Sequence, residues 1–111
     1  MDDILRLASD LGERIANHER FQKLRTAESA VQADKVAQDL VTSADEQRRK
    51  VAELEASQQP VEPEDKHELI RLEEAIRGNE NLQGLARAQA DFMELMNKVN
   101  RAIREKLDTA E

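Results

Sequence analysis

Glu64 and His67 stand three residues apart, the spacing that places a carboxylate and an imidazole on one side of a helix, as in the carboxylate-bridged metal sites of helical bundles. Such sites need a second Glu-x-x-His and further inward glutamates. The other histidine of the chain, His18, has no glutamate three positions before it. The Glu64–His67 pair therefore reads as a solvated first turn, and no metal site is expected. The absence of cysteine removes disulfides, thiolate zinc sites, cysteine catalysis and cysteine-ligated iron–sulfur clusters. With three glycines in all, there is also no Gly-rich phosphate loop. The expectation is a protein with no catalytic residue and no tightly bound cofactor.

Two basic clusters could meet phosphate: Arg48, Arg49 and Lys50, and the group Lys98, Arg101, Arg104 and Lys106. The second has a structural explanation, because cations near a helix C-terminus interact favourably with the macrodipole. RNA contact would call for a continuous basic face and stacking aromatics. The chain has no Trp or Tyr, and its formal net charge is −7. Direct nucleic-acid binding is therefore not expected. Met93 and Met96 could form an adaptable recognition surface or fill a core.

The elements that carry these residues are helical. A chain of 111 residues, 37% of them charged, with three glycines and two prolines, fits one helix-rich domain over 1–111. No run of about 18 apolar residues is present for a membrane span, and the opening MDDILRLASD lacks the basic flank of a signal peptide. A cytoplasmic location is expected. Ile4, Ala8, Leu11 and Ile15 mark one face of a first helix that Asn17 or His18 ends or re-caps. Phe21, Leu24, Ala27 and Val31 follow on a second, and Asp34 suits the N-cap of a third. There Ala37, Leu40, Ala44, Gln47, Val51 and Leu54 form a heptad seam of mainly small residues, one of them polar.

SQQPVEPED interrupts the pattern, giving a linker at 57–63. Pro63 can begin a fourth helix carrying Leu69, Leu72 and Ile76. Gly78 is expected to close it as a left-handed residue, with Asn79 capping a last long helix. On that helix Leu85, Ala88, Phe92, Leu95, Val99 and Ala102 make one seam, and Leu82, Gln89, Met96 and Ile103 widen it. Three apolar positions per heptad suit a helix covered by several neighbours. From Asn79 to Leu107 it would run roughly 43 Å, longer than a compact domain of this size is wide. The fold class expected is all-α: a bundle of four to five helices with one long C-terminal helix, forming a tight homodimer. Phe92, Leu95, Met96, Val99, Ile103 and Leu85 would supply the core and assembly surface, with Ile4, Leu11, Ile15, Phe21 and Leu40 from the earlier helices.

The segments LASDLGERIANHERFQKLRTAESAVQADKVAQDLV and NENLQGLARAQADFMELMNKVNRAI resemble the YlbF/YmcA family of small helical bacterial proteins. An acidic-aromatic step appears as Glu19-Arg20-Phe21. An Asp-x-x-Ala-x-x-Leu-Ile-like step appears as Asp34, Ala37, Leu40 and Val41. An Asn near a helix start is matched by Asn79 or Asn81, and an Ala-x-x-x-Phe-x-x-Leu step by Ala88, Phe92 and Leu95. Ala44 departs from the pattern, which often has Phe there. The resemblance implies a non-catalytic, usually self-associated protein that joins complexes controlling mRNA processing, competence, sporulation or biofilm formation. An adaptor or chaperone-like role in another complex would use the same helical surface. Some members bind iron–sulfur clusters through cysteines, and that property cannot carry over to a chain without them.

Overall fold

In a computed structural model, residues 2–110 are described and form five helices: α1 (Asp2–Ala16), α2 (Glu19–Gln32), α3 (Lys35–Ala56), α4 (Pro63–Gly78) and α5 (Glu80–Thr109). The described residues include no strand. The chain divides into two compact units, Met1–Glu28 with Leu85–Glu111, and Ser29–Gly84.

The helix ends are set by side chains where the sequence placed polar residues. Asn17 Nδ2 donates to the Glu13 carbonyl at 3.1 Å and closes α1, and His18 Nδ1 accepts from the Arg20 amide at 3.0 Å to start α2. Asp34 is the N-cap of α3, its Oδ1 accepting from the Ala37 amide at 3.0 Å. Pro63 occupies the first turn of α4, where its missing N–H leaves nothing unpaired, and Glu64 and Asp65 follow in the same turn. Asn79 caps α5 by accepting from the Leu82 amide at 3.0 Å.

The left-handed stop lies elsewhere than expected. Gly78 does not adopt positive φ; α4 ends because Asn79 turns extended, with φ −86° and ψ 118°, to cap the next helix. The left-handed residue is Gln58, with φ 60°, just beyond α3. Its amide donates to the Glu55 carbonyl at 3.1 Å and that of Gln59 to Leu54 at 2.8 Å, the paired bonds of a Schellman stop.

Within Ser29–Gly84, α3 packs on α4. Ala37 and Ala44 are wholly covered and Leu72 nearly so, while Leu40, Gln47, Val51 and Leu54 are half-buried. Small residues at the seam let the two backbones approach closely. Gln47, the polar seam residue, donates to the Asp65 carbonyl at 2.8 Å. Lys50 Nζ meets the largely covered Asp65 carboxylate at 2.8 Å. That hydrogen bond is the main cause holding the Asp65 carboxyl below its usual range and the Lys50 ammonium above its own.

Candidate interaction surface

The residues that looked most like chemistry are not gathered. Glu64 and His67 are both exposed, and among the described residues no three His, Asp or Glu side chains converge as a metal site would require. No helix of the described residues is long and apolar enough to cross a membrane.

What the fold exposes instead is apolar. In the unit formed by 1–28 and 85–111, Phe21 and Phe92 meet with ring centroids 5.5 Å apart and planes tilted by 55°, a favourable aromatic geometry. Arg20 Nη1 donates to the Asp91 carbonyl at 3.1 Å and lies 3.9 Å from the Glu94 carboxylate, and the Arg25 guanidinium stands 5.7 Å from the Phe21 ring centre. Ala88 is buried, and Leu85, Phe92, Leu95, Met96 and Val99 are half-buried. Beyond Val99 the cover ends: Ala102 is exposed, Ile103 is 51% exposed and Leu107 70%.

α1 behaves the same way. Ile15 is half-buried, Leu11 is exposed, and Ile4, Leu5 and Leu7 are each 60% exposed or more. No residue of α1 is buried. Yet Ile4, Leu7, Ala8, Leu11 and Ile15 lie on one side of the helix, with Asp2, Arg6, Asp10 and Glu13 on the other. α1 is thus sharply divided, with its apolar half exposed in the single chain.

The description "control of competence regulator ComK, YlbF/YmcA" is that of the family whose pattern matches residues 4–108. The chain belongs to the YlbF/YmcA family. A UPF0342 protein of Desulfitobacterium hafniense (strain Y51) is 26% identical over 98 residues, covering 88% of this chain and 75% of the relative. The fold is that of Bacillus subtilis RicA, solved in complex with RicF, with a TM-score of 0.86 at 16% identity over 96% of this chain and 94% of RicA. A protein of unknown function (DUF964) from Bacillus stearothermophilus is similar at a TM-score of 0.69 and 19% identity, over 96% of this chain and 93% of its own.

The YlbF/YmcA-like steps of the sequence are now seen as joints. Asp34 caps α3 and its Oδ2 accepts from Asn81 Nδ2 at 2.9 Å, so one carboxylate ties the start of α3 to the start of α5, with neighbouring Asn79 capping the latter. The hydrogen bond from the Ala37 amide, and then that from Asn81, holds the Asp34 carboxyl below its usual range. Ala37 is the covered residue of the α3 seam, and Phe21 and Phe92 are the ring pair. Leu5, Leu7 and Leu107 were missed as surface residues. Leu7 and Leu107 lie at the edges of the stripes on α1 and α5, and a wider sector at 100° per residue would have included them, whereas Leu5 lies off the apolar side of α1 and periodicity gives no sign of it.

Proposed function

We propose that this YlbF/YmcA-family protein is a non-catalytic regulatory subunit that works as a single domain in the cytoplasm, assembled through the apolar faces of α1 and the end of α5. The observation that carries this reading is the exposure of Ile4, Leu7, Leu11, Ile103 and Leu107 on two amphipathic helices. Burying a large aliphatic side chain is worth about 1.5–3 kcal/mol, so a second chain placed over this surface gains more than solvent offers. The partner we assign is a second copy, giving a homodimer. The family's description links it to control of competence, and complexes of that regulatory kind are the setting proposed for this chain.

A second reading is favoured by one observation: RicA, of the same fold, was solved with RicF. On that reading the same face takes a different helical chain. Co-expression of a tagged and an untagged copy separates the two. Self-assembly predicts that the tagged copy retains the untagged one and that Leu7→Ser with Leu107→Ser releases it. Retention undiminished in the double variant would move the interface elsewhere, and no retention in the wild type would favour the second reading.

A further inference from the structure

The two uncovered apolar stripes differ in the charges that border them. At about 100° per residue, Asp3 and Asp10 stand on one flank of the exposed part of the α1 stripe, from Ile4 to Leu11, and Arg14 follows beside the half-buried Ile15. On α5 the exposed part runs from Ala102 to Leu107, with Lys106 inside the stripe and Arg104 at its border, while Arg101, Glu105 and Asp108 lie on the far side of the helix. Lys98 is held 3.1 Å from Glu94, but the side chains of Asp10, Arg104 and Lys106 have no ion pair or hydrogen bond among the described residues. The rim of the uncovered face is therefore acidic on α1 and basic on α5.

We propose that α1 of each copy lies along the end of α5 of the other, a pairing that rests on the homodimer proposed above and adds which helix meets which. A two-fold assembly can cover the stripes in three ways: α1 on α1, α5 on α5, or each α1 on the opposite α5. The first sets two acidic rims together. An antiparallel α1 pair could bring Arg14 towards the acidic rim, but it leaves both α5 ends to cover one another. That second contact presses Lys106 into an apolar stripe that brings no carboxylate on its own side. The third sets opposite charges along both contacts, and the symmetry makes it twice per dimer.

Lys106 decides between these arrangements because of where it sits. Its four-carbon stem can lie on the apolar contact with Ile103 and Leu107 while the ammonium reaches the border. At that border an acidic rim stabilises it, whereas a second copy of the same basic rim repels it and leaves a partly desolvated cation without a partner. The charges thus select the pairing and its register, and the apolar side chains supply the area that holds it.

The chain has no cysteine, so single introduced thiols report the pairing directly. Ala8→Cys and Ala102→Cys each place one beside an exposed stripe without removing a large apolar residue. An equimolar mixture of the two full-length variants, oxidised where the protein is dimeric, should yield mixed disulfide well above the half that random pairing gives, and either variant alone should cross-link poorly. Charge reversal gives a second readout by sedimentation: D3K/D10K and R104E/K106E should each raise the dimer dissociation constant about tenfold at low salt, and all four changes in one chain should return it to within about threefold of the wild type. Like-with-like disulfides, a random yield, or half-reversed variants that dimerise as the wild type does would overturn the pairing and leave the homodimer standing. A wild-type chain that sediments as a monomer at micromolar concentration would overturn both.

Discussion

The segment Ser29–Gly84 and the unit made of 1–28 with 85–111 differ in how far they cover their apolar side chains. The first closes a core in which Ala37 and Ala44 are fully buried where α3 packs on α4 and Leu72 and Leu82 are nearly so, while Val36 and Ile70 stay exposed. The second leaves its larger ones half-covered or exposed, from the Phe21–Phe92 pair outward to Leu7 and Leu107. Small residues satisfy a helix pair that is closed within one chain. Large residues left in solvent on two amphipathic helices are the surface that the proposed assembly would cover.

The largest effect that would test this contrast is at Phe92. Its ring is half-buried in the single chain, so Phe92→Ala should cost well under the value of a full core truncation in dilute protein. It should approach about 3–5 kcal/mol once association covers the ring. Denaturant melts at low and high protein concentration measure the difference. A cost independent of concentration would remove the ring from the interface.

Leu72→Ala probes the other region. A nearly buried leucine truncated to alanine typically costs about 2–5 kcal/mol, and here the loss should be the same at every protein concentration, with association unchanged. A concentration-dependent loss would blur the two regions into one.

Much of this division was legible in the residues, but not its limits. Every position of the α3 seam, from Ala37 to Leu54, is buried or half-buried, because a heptad period reports directly which side of a helix is covered. The caps at Asp34 and Asn79 were legible for the same local reason, a short polar side chain before a periodic run. Periodicity cannot say where cover stops, since Val99 and Ile103 share one stripe and differ only in what lies above them. The Asp34–Asn81 bond joins residues 47 apart and needs the fold to exist first. The left-handed residue was missed because glutamine has no preference for it, whereas Gly78 has, and φ 60° at Gln58 is imposed by the stop of α3.

That strain gives a smaller prediction within the same region. Gln58→Gly should raise stability by roughly 0.5–1 kcal/mol through relief of the left-handed backbone, offset in part by the freedom glycine gains when unfolded. Thermal melts should show an increase and no change in association. A decrease would mean that the Gln58 side chain contributes more than its backbone costs.

The smallest concerns pH. The Asp34 carboxyl is lowered in the folded protein, chiefly by the Ala37 amide and then by Asn81. A depressed folded pKa gives stability that is present above the ordinary carboxylate range and lost as pH falls through the lowered folded value. Asp34→Asn should therefore melt lower than the wild type at neutral pH, with the gap closing in acid. A gap that stayed constant into acid would assign the effect to shape and not to charge.

The central claim, that the uncovered faces of α1 and α5 belong to an interface between copies, is tested most directly by sedimentation equilibrium of the unmodified protein over a wide concentration range. The account predicts a dimer at micromolar concentration that dissociates on dilution, and a Leu7→Ser/Leu107→Ser variant that remains folded but dissociates at higher concentration. A wild-type protein that stays a stable monomer throughout that range would contradict it.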